Sequence, residues 1–218
     1  MKKYLPFVLL LVGILVLVGV VLIIRGRSQS QGENVQPEEE IAPEIPADKK
    51  PFASLIPKSD GHWLKLRIEN IQVPDAITLD YELLYKTGDG RTQGVPGAGI
   101  MIKGVSMIER DLLLGSESSG KFRYDVGVEK GTLTLRFRND KGKLVGKLVT
   151  EFHLQEKGPS LSSVDGKFKY ELDKAATGVW FVTMMPFGVK QGASNVVIAQ
   201  GDYIVFSSDG LSHSGKVD

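Results

Sequence analysis

Beyond residue 59, side chains alternate between apolar and polar with a strictness that leaves little room for helices. Leu64, Leu66 and Ile68 alternate with Lys65, Arg67 and Glu69. Ile77, Leu79, Tyr81, Leu83 and Tyr85 alternate with Thr78, Asp80, Glu82, Leu84 and Lys86. Leu133, Leu135 and Phe137 oppose Thr132, Thr134, Arg136 and Arg138; Leu148, Thr150, Phe152 and Leu154 oppose Lys147, Val149, Glu151 and His153. A period of two sends one set of side chains to a buried sheet face and the other to water. Turn signals separate these runs, among them Asp89-Gly90, Asn139-Asp140-Lys141-Gly142, Asp165-Gly166 and Asp209-Gly210. No stretch of helical length carries a 3.6-residue apolar period. The expectation is an all-β domain, an immunoglobulin-like or fibronectin-like antiparallel β-sandwich. Residues 172–182 resemble the corner before a central strand of such domains, with Trp180 at the usual Tyr position and Val182 at the usual Cys position.

The N-terminus is of another kind. Phe7 to Ile24 is an unbroken apolar run between Lys2/Lys3 and Arg25/Arg27. As a helix it would rise about 27 Å, close to the hydrocarbon thickness of a bilayer. The run is too long for a signal-peptide core, and no small-x-small cleavage site follows it. Residues 1–27 therefore read as a signal-anchor transmembrane helix. Lys2 and Lys3 with the terminal amine stand against Arg25 and Arg27, and an exported β-domain agrees with an N-terminus inside. The expected location is the plasma membrane, single-pass, with the C-terminal domain extracytoplasmic.

Residues 28–58 carry Pro37, Pro43, Pro46, Pro51 and Pro57 among Glu33, Glu38, Glu39, Glu40, Glu44 and Asp48. Such a composition predicts a disordered Pro/Glu-rich linker that spaces the domain from the membrane. Residues 59–218 then form the β-sandwich, as one domain or as two subdomains, 59–157 and 158–218. Charge there is nearly balanced and forms no basic stripe, so nucleic acid is not an expected partner. The chain has no cysteine, which excludes disulfides and thiolate metal sites.

Several motifs come close to known chemistry and miss. Gly115-Ser-Glu-Ser-Ser-Gly-Lys121 fits a phosphate-binding loop up to its eighth position, where Phe122 replaces the magnesium-ligating hydroxyl and a strand pattern replaces the helix. Ser118-x-x-Lys121, Lys86-Thr-Gly88 and Ser208-Asp-Gly210 are β-lactamase-like fragments in the wrong order. His62, His153 and His213 lack ligand spacing. No cofactor, metal or catalytic residue is assigned. The carboxylate pairs Asp80/Glu82 and Glu109/Asp111 leave an anchored polysaccharide hydrolase as an alternative. The expected binding loop lies within 88–104, at Gly88, Asp89, Gly90, Arg91, Gly94, Pro96 and Gly97, where glycines expose backbone groups to a partner. That partner is expected to be an envelope protein or a glycan. One internal echo links Gly120-Lys-Phe-Arg-Tyr-Asp125 to Gly166-Lys-Phe-Lys-Tyr-Glu171.

Tyr81-x-Leu-x-Tyr85, Gly94-Val-x-Gly97, Arg110-x-Leu-Leu-Leu-Gly115, Ser119-Gly-x-x-x-Tyr124, Gly131-x-Leu-x-Leu-x-Phe137 and Gly201-x-Tyr-x-Val-Phe206 together form a diffuse strand-and-turn pattern. In it the chain resembles single-pass membrane-anchored β-domain proteins of candidate-phyla bacteria. The resemblance implies a bacterial, extracytoplasmic domain and brings no activity with it.

Overall fold

A computed structural model describes residues 42–156, 158–188 and 196–217, with the backbone alone for 196–200. The apolar run and the first part of the linker, residues 1–41, lie outside them. Among the described residues no helix is long and apolar enough to cross a membrane. Residues 42–218 form one unit.

A 3₁₀ turn at Ala47–Lys49 is followed by β1 (Phe52–Pro57), β2 (Trp63–Glu69), β3 (Thr78–Lys86), β4 (Thr92–Met101) and β5 (Met107–Leu113). Next come β6 (Gly115–Ser118), β7 (Lys121–Tyr124), β8 (Lys130–Arg138), β9 (Leu144–Glu156) and β10 (Ser160–Ser162). β11 (Lys169–Leu172), β12 (Trp180–Met184), β13 (Val196–Gln200), β14 (Tyr203–Ser207) and β15 (Gly215–Val217) complete the order. The all-β reading holds, and every strand pairing is antiparallel.

Seven strands form the main sheet, in the order β13-β14-β12-β9-β8-β3-β4. One face packs on the three-stranded sheet β1-β2-β5, and between them lies the principal core. Leu79, Leu83, Leu133, Leu135, Phe137 and Phe152 meet Leu55, Leu64, Leu66 and Leu112 there, all fully buried. These are the inward positions of the alternation, so strand register and core follow from the same pattern. Among the described residues, the other face of the main sheet is covered at one end only. There Leu161, Phe168, Tyr170 and Leu172 of the β10-β11-β15 layer bury Phe181 and Val205 in a second core. β12 and β14 thus have apolar neighbours on both faces, and four consecutive residues of each are buried.

Three expectations change. Residues 42–58, read as linker, belong at least in part to the folded body. Phe52, Ala53 and Leu55 are buried in β1, and Ile45 is 3% exposed. Ile45 fits a notch at Gly146, where an added Cβ would stand 2.6 Å from Ile45 Cδ1. Proline at 43, 46 and 51 allows no helix longer than the 3₁₀ turn at Ala47–Lys49 and leaves a strap free to pack. The division near residue 157 does not separate two bodies either, because β12 pairs with β9 from Trp180↔Glu156 to Met184↔Phe152.

The third change concerns the glycine-rich stretch 88–104, of which Thr92–Met101 is strand, the edge of the main sheet. Its small residues make room for β3 side chains that lie across it. A Cβ at Gly97 would fall 2.3 Å from the Tyr81 ring, and one at Gly94 would fall 2.9 Å from Leu84 Cδ2. Gly99, with φ +67°, forms the bulge where the β3–β4 register shifts, and its N–H donates to Asp80 (2.8 Å). Pro96 occupies mid-edge, a place where a missing N–H costs no ladder bond.

Candidate functional site

Register places the loops at two opposite ends. β3 runs from Thr78, beside Arg138, to Tyr85, beside Gly131. β9 runs from Leu144, beside Arg138, to His153, beside Lys130. Ile45, Gly146 and the 139–143 turn therefore share one end. The 87–91 turn, Gly127 and Trp180 share the other, and here the exposed aromatic residues gather.

This second pole is assembled from four segments. In the first, Lys58 and Trp63 close a turn (Lys58 N–H to Trp63 carbonyl, 2.9 Å), and Asp60 accepts the His62 N–H at 3.0 Å. Gly61 sits in this turn at φ +68°, and an added Cβ would lie 2.2 Å from Trp180 Cε2, so the indole rests directly on the glycine. In the second, β3 and β4 are joined by Thr87–Arg91. Thr87 N–H donates to Arg91 carbonyl (2.9 Å), the Thr87 hydroxyl donates to Asp89, and Arg91 Nε pairs with Asp89 at 2.8 Å. Hydrogen bonds from the Thr87 hydroxyl and then Arg91 hold the Asp89 carboxyl at about 2, well below its usual range.

The third segment is the β6–β7 hairpin, closed by Ser119 and Gly120, both at positive φ, as a tight two-residue turn requires. Gly115–Lys121, the near-match to a phosphate loop, is this hairpin. Phe122 (46% exposed) and Tyr124 (39%) share one of its faces. The Tyr124 ring stacks on His62 (centroids 4.2 Å, planes 5° apart) and lies parallel to Phe122 (6.3 Å, 3°). Trp63 meets Phe122 edge-on at 5.6 Å, and Lys58 Nζ lies 5.1 Å above the Trp63 ring while pairing with Asp111 at 2.7 Å. The fourth segment, 125–129, ties the others together. Asp125 accepts the buried Tyr85 hydroxyl (2.9 Å), whose phenol is pushed up by burial and by that bond, and Gly88 N–H donates to the Val126 carbonyl (2.7 Å).

Two clefts flank segment 125–128. One, of about 410 Å³, is lined by Gly127, Val128, Glu129, His153, Gln155 and Trp180 among others. The other, of about 430 Å³, is lined by Asp89, Arg91, Arg123, Tyr124, Asp125 and Val126 among others. Burial lowers the proton affinity of His153. Its Nδ1 faces the Ser162 carbonyl at 2.8 Å, so Nδ1 carries the hydrogen and neutral Nε2 is an acceptor.

Of the expected loop residues, Gly88, Asp89, Gly90 and Arg91 lie in the turn at this pole, and Gly88, Asp89 and Arg91 line its second cleft. Gly94, Pro96 and Gly97 do not join them; they run along the β4 edge. The sequence reading weighed His62, Phe122 and Tyr124 only within other motifs and assigned none of them, nor Trp63, to a site. The signal available was the alternation Lys121-Phe-Arg-Tyr124, which puts two aromatics on one face of a strand too short to bury them.

The carboxylate pairs are engaged elsewhere. Asp80 pairs with Arg138 and Glu82 with Arg136, both at 2.9 Å. Glu109 and Asp111 lie on the outer face of β5, paired with Arg67 (3.6 Å) and Lys58 (2.7 Å). The three histidines have separate surroundings: His62 on Tyr124, His153 at Ser162, His213 at Asp209 (3.2 Å). Among the described residues no cluster of metal-ligating side chains occurs. At the end of β12, Met184 is buried, whereas Met185 is exposed and Phe187 packs on the core. Compared with known proteins, the chain matches no family model, and no curated protein or solved structure is significantly similar to it.

Proposed function

We propose that the chain is a membrane-tethered extracytoplasmic binding or structural protein of the bacterial envelope. A single-pass N-terminal anchor, with its N-terminus cytoplasmic, holds an immunoglobulin-like or fibronectin-like sandwich. The apolar run Phe7–Ile24 and the packed antiparallel sheets support the two parts of this reading. The observation that carries it is polarity. Within the folded unit the exposed aromatics lie at the strand ends opposite Ile45 and Gly146, gathered at one pole. From Gly146 to Glu156 along β9 is about 33 Å. The ion-paired carboxylates on open sheet faces lend nothing to the hydrolase alternative.

The native chain contains no cysteine, so a single introduced thiol is a clean reporter of sidedness. Ser118→Cys, at the exposed end of β6, is expected to react with a membrane-impermeant maleimide on intact spheroplasts. Labelling only after permeabilisation would refute the proposed orientation.

A further inference from the structure

We infer that the aromatic pole binds a glycan chain, laid across both clefts over the 125–128 segment; this rests on the tethered-binding reading above. The two clefts share one wall, with Gly127 lining the first and Val126 the second. Each volume lies in the range of about 300–1,000 Å³ typical of ligand sites. Two adjoining clefts suit a ligand longer than one ring.

An aromatic path joins them. Trp180, in the first cleft, rests on Gly61; the next residue, His62, stacks on Tyr124 in the second. Sugar rings have apolar C–H faces that pack on such side chains, and hydroxyl edges that need both donors and acceptors. The clefts offer both kinds. Glu129 and the Nε2 of His153 accept, Arg123 donates, and the Asp89–Arg91 pair presents an acceptor beside a donor. Charge argues in the same direction. Arg91 is compensated by Asp89 and Lys58 by Asp111, so the pole favours an uncharged, hydroxyl-rich chain over a polyanion. A protein partner is the competing occupant, and the test separates the two.

The probes are soluble β-1,4-linked glucose and N-acetylglucosamine oligomers, two and six units long, and purified peptidoglycan sacculi. The full chain, in a sugar-free zwitterionic detergent, is titrated by fluorescence of its two tryptophans, Trp63 and Trp180. Hexamers of at least one series are expected to bind more tightly than dimers, and the chain to co-sediment with sacculi. Tyr124→Ala in one cleft and Glu129→Gln in the other are each expected to weaken binding about tenfold, or about 1.4 kcal/mol. Both variants should keep a single cooperative thermal transition well above the titration temperature, which keeps a folding defect from passing as a binding defect. Failure of the parent chain to bind any probe at millimolar concentration overturns the inference, as does undiminished affinity in both variants. Capture of a protein from envelope extracts that survives sugar competition overturns it too. Maleimide labelling at Ser118→Cys reads the tether independently: surface labelling without glycan binding refutes the ligand class and leaves the tethered reading standing.

Discussion

The strap that carries Ile45 onto the main sheet offers a quantitative test of where the folded unit begins. Ile45 is 3% exposed, and cutting a buried Ile back to Ala costs about 2–5 kcal/mol. A strap can collapse partly into the space left, so about 2–3 kcal/mol is expected. Gly146→Ala acts from the other side of the contact. Its methyl would stand 2.6 Å from Ile45 Cδ1 and 2.7 Å from Cγ1, an overpacking worth about 1–3 kcal/mol. The two substitutions should not add. With Ile45 already shortened, the next neighbour of the new methyl is Val73 Cγ1 at 3.6 Å, an ordinary contact. In that background Gly146→Ala should be neutral or stabilise by about 0.5–1 kcal/mol, the usual benefit of replacing a strand glycine. The coupling energy is then about 1–4 kcal/mol, read by urea unfolding of the parent, both singles and the double variant. A flexible linker at this point predicts something different: Ile45→Ala within about 0.5 kcal/mol of the parent, and additivity. That pair of results would refute the packed strap.

Other perturbations test the pole and the edge. Gly61→Ala meets both a positive φ and the Trp180 ring, and should cost about 2–4 kcal/mol with a change in tryptophan emission. Gly90→Ala, at φ +84° with nothing within 4 Å of its Cβ, should cost only about 1–2 kcal/mol; equal losses at the two sites would exclude a role for the indole contact. Burial holds the folded His153 pKa below its ordinary 6.5, so the unfolded chain takes up the proton first as pH falls. Stability should therefore decline on acidification from 6.5 down to the folded pKa, and His153→Gln should remove that part of the slope in urea midpoints measured between pH 7.5 and 5. Pro96→Val restores an N–H to the open edge of β4, and sedimentation should show increased self-association; a strictly unchanged profile would mean the edge is protected by other means.

How much of this was legible depends on what each strand faces. β2, β3, β8 and β9 announce themselves because one face meets the core and the other meets water, so the alternation survives along each of them. β12 and β14 are covered on both faces, and Phe181-Val-Thr-Met184 and Ile204-Val-Phe-Ser207 carry no period at all. β1 was hidden by its surroundings: Pro51 and Pro57 bracket Phe52-Ala-Ser-Leu-Ile56 and give the stretch the look of a linker. β4 was hidden by its glycines, which composition assigns to a loop and which the overlying Tyr81 and Leu84 side chains require in a strand. Half of the site was readable for the complementary reason. Gly88-Asp-Gly-Arg91 is a turn whatever surrounds it, whereas the stacking of His62 on Tyr124 joins segments far apart in sequence.

The repeated hexapeptide carries this argument furthest. In both copies the Phe and the Tyr fall on one strand face, as alternation demands. In the second copy, Phe168 and Tyr170 are 3% and 8% exposed, because Phe181 and Val205 of the main sheet lie under them. In the first, Phe122 and Tyr124 stay 46% and 39% exposed, and among the described residues the rings that meet them are the edge of Trp63 and the imidazole of His62. Nearly identical local sequence thus yields a core layer at one place and a solvent-facing aromatic cluster at the other. Periodicity tells which side chains share a face, but the covering of that face is set by topology. An aromatic pair left half open by the fold retains apolar surface that a ligand can still bury, about 25 cal/mol for each Å². Its twin has already spent that surface on folding, and this asymmetry is why the proposed binding pole lies at the first copy and not at the second.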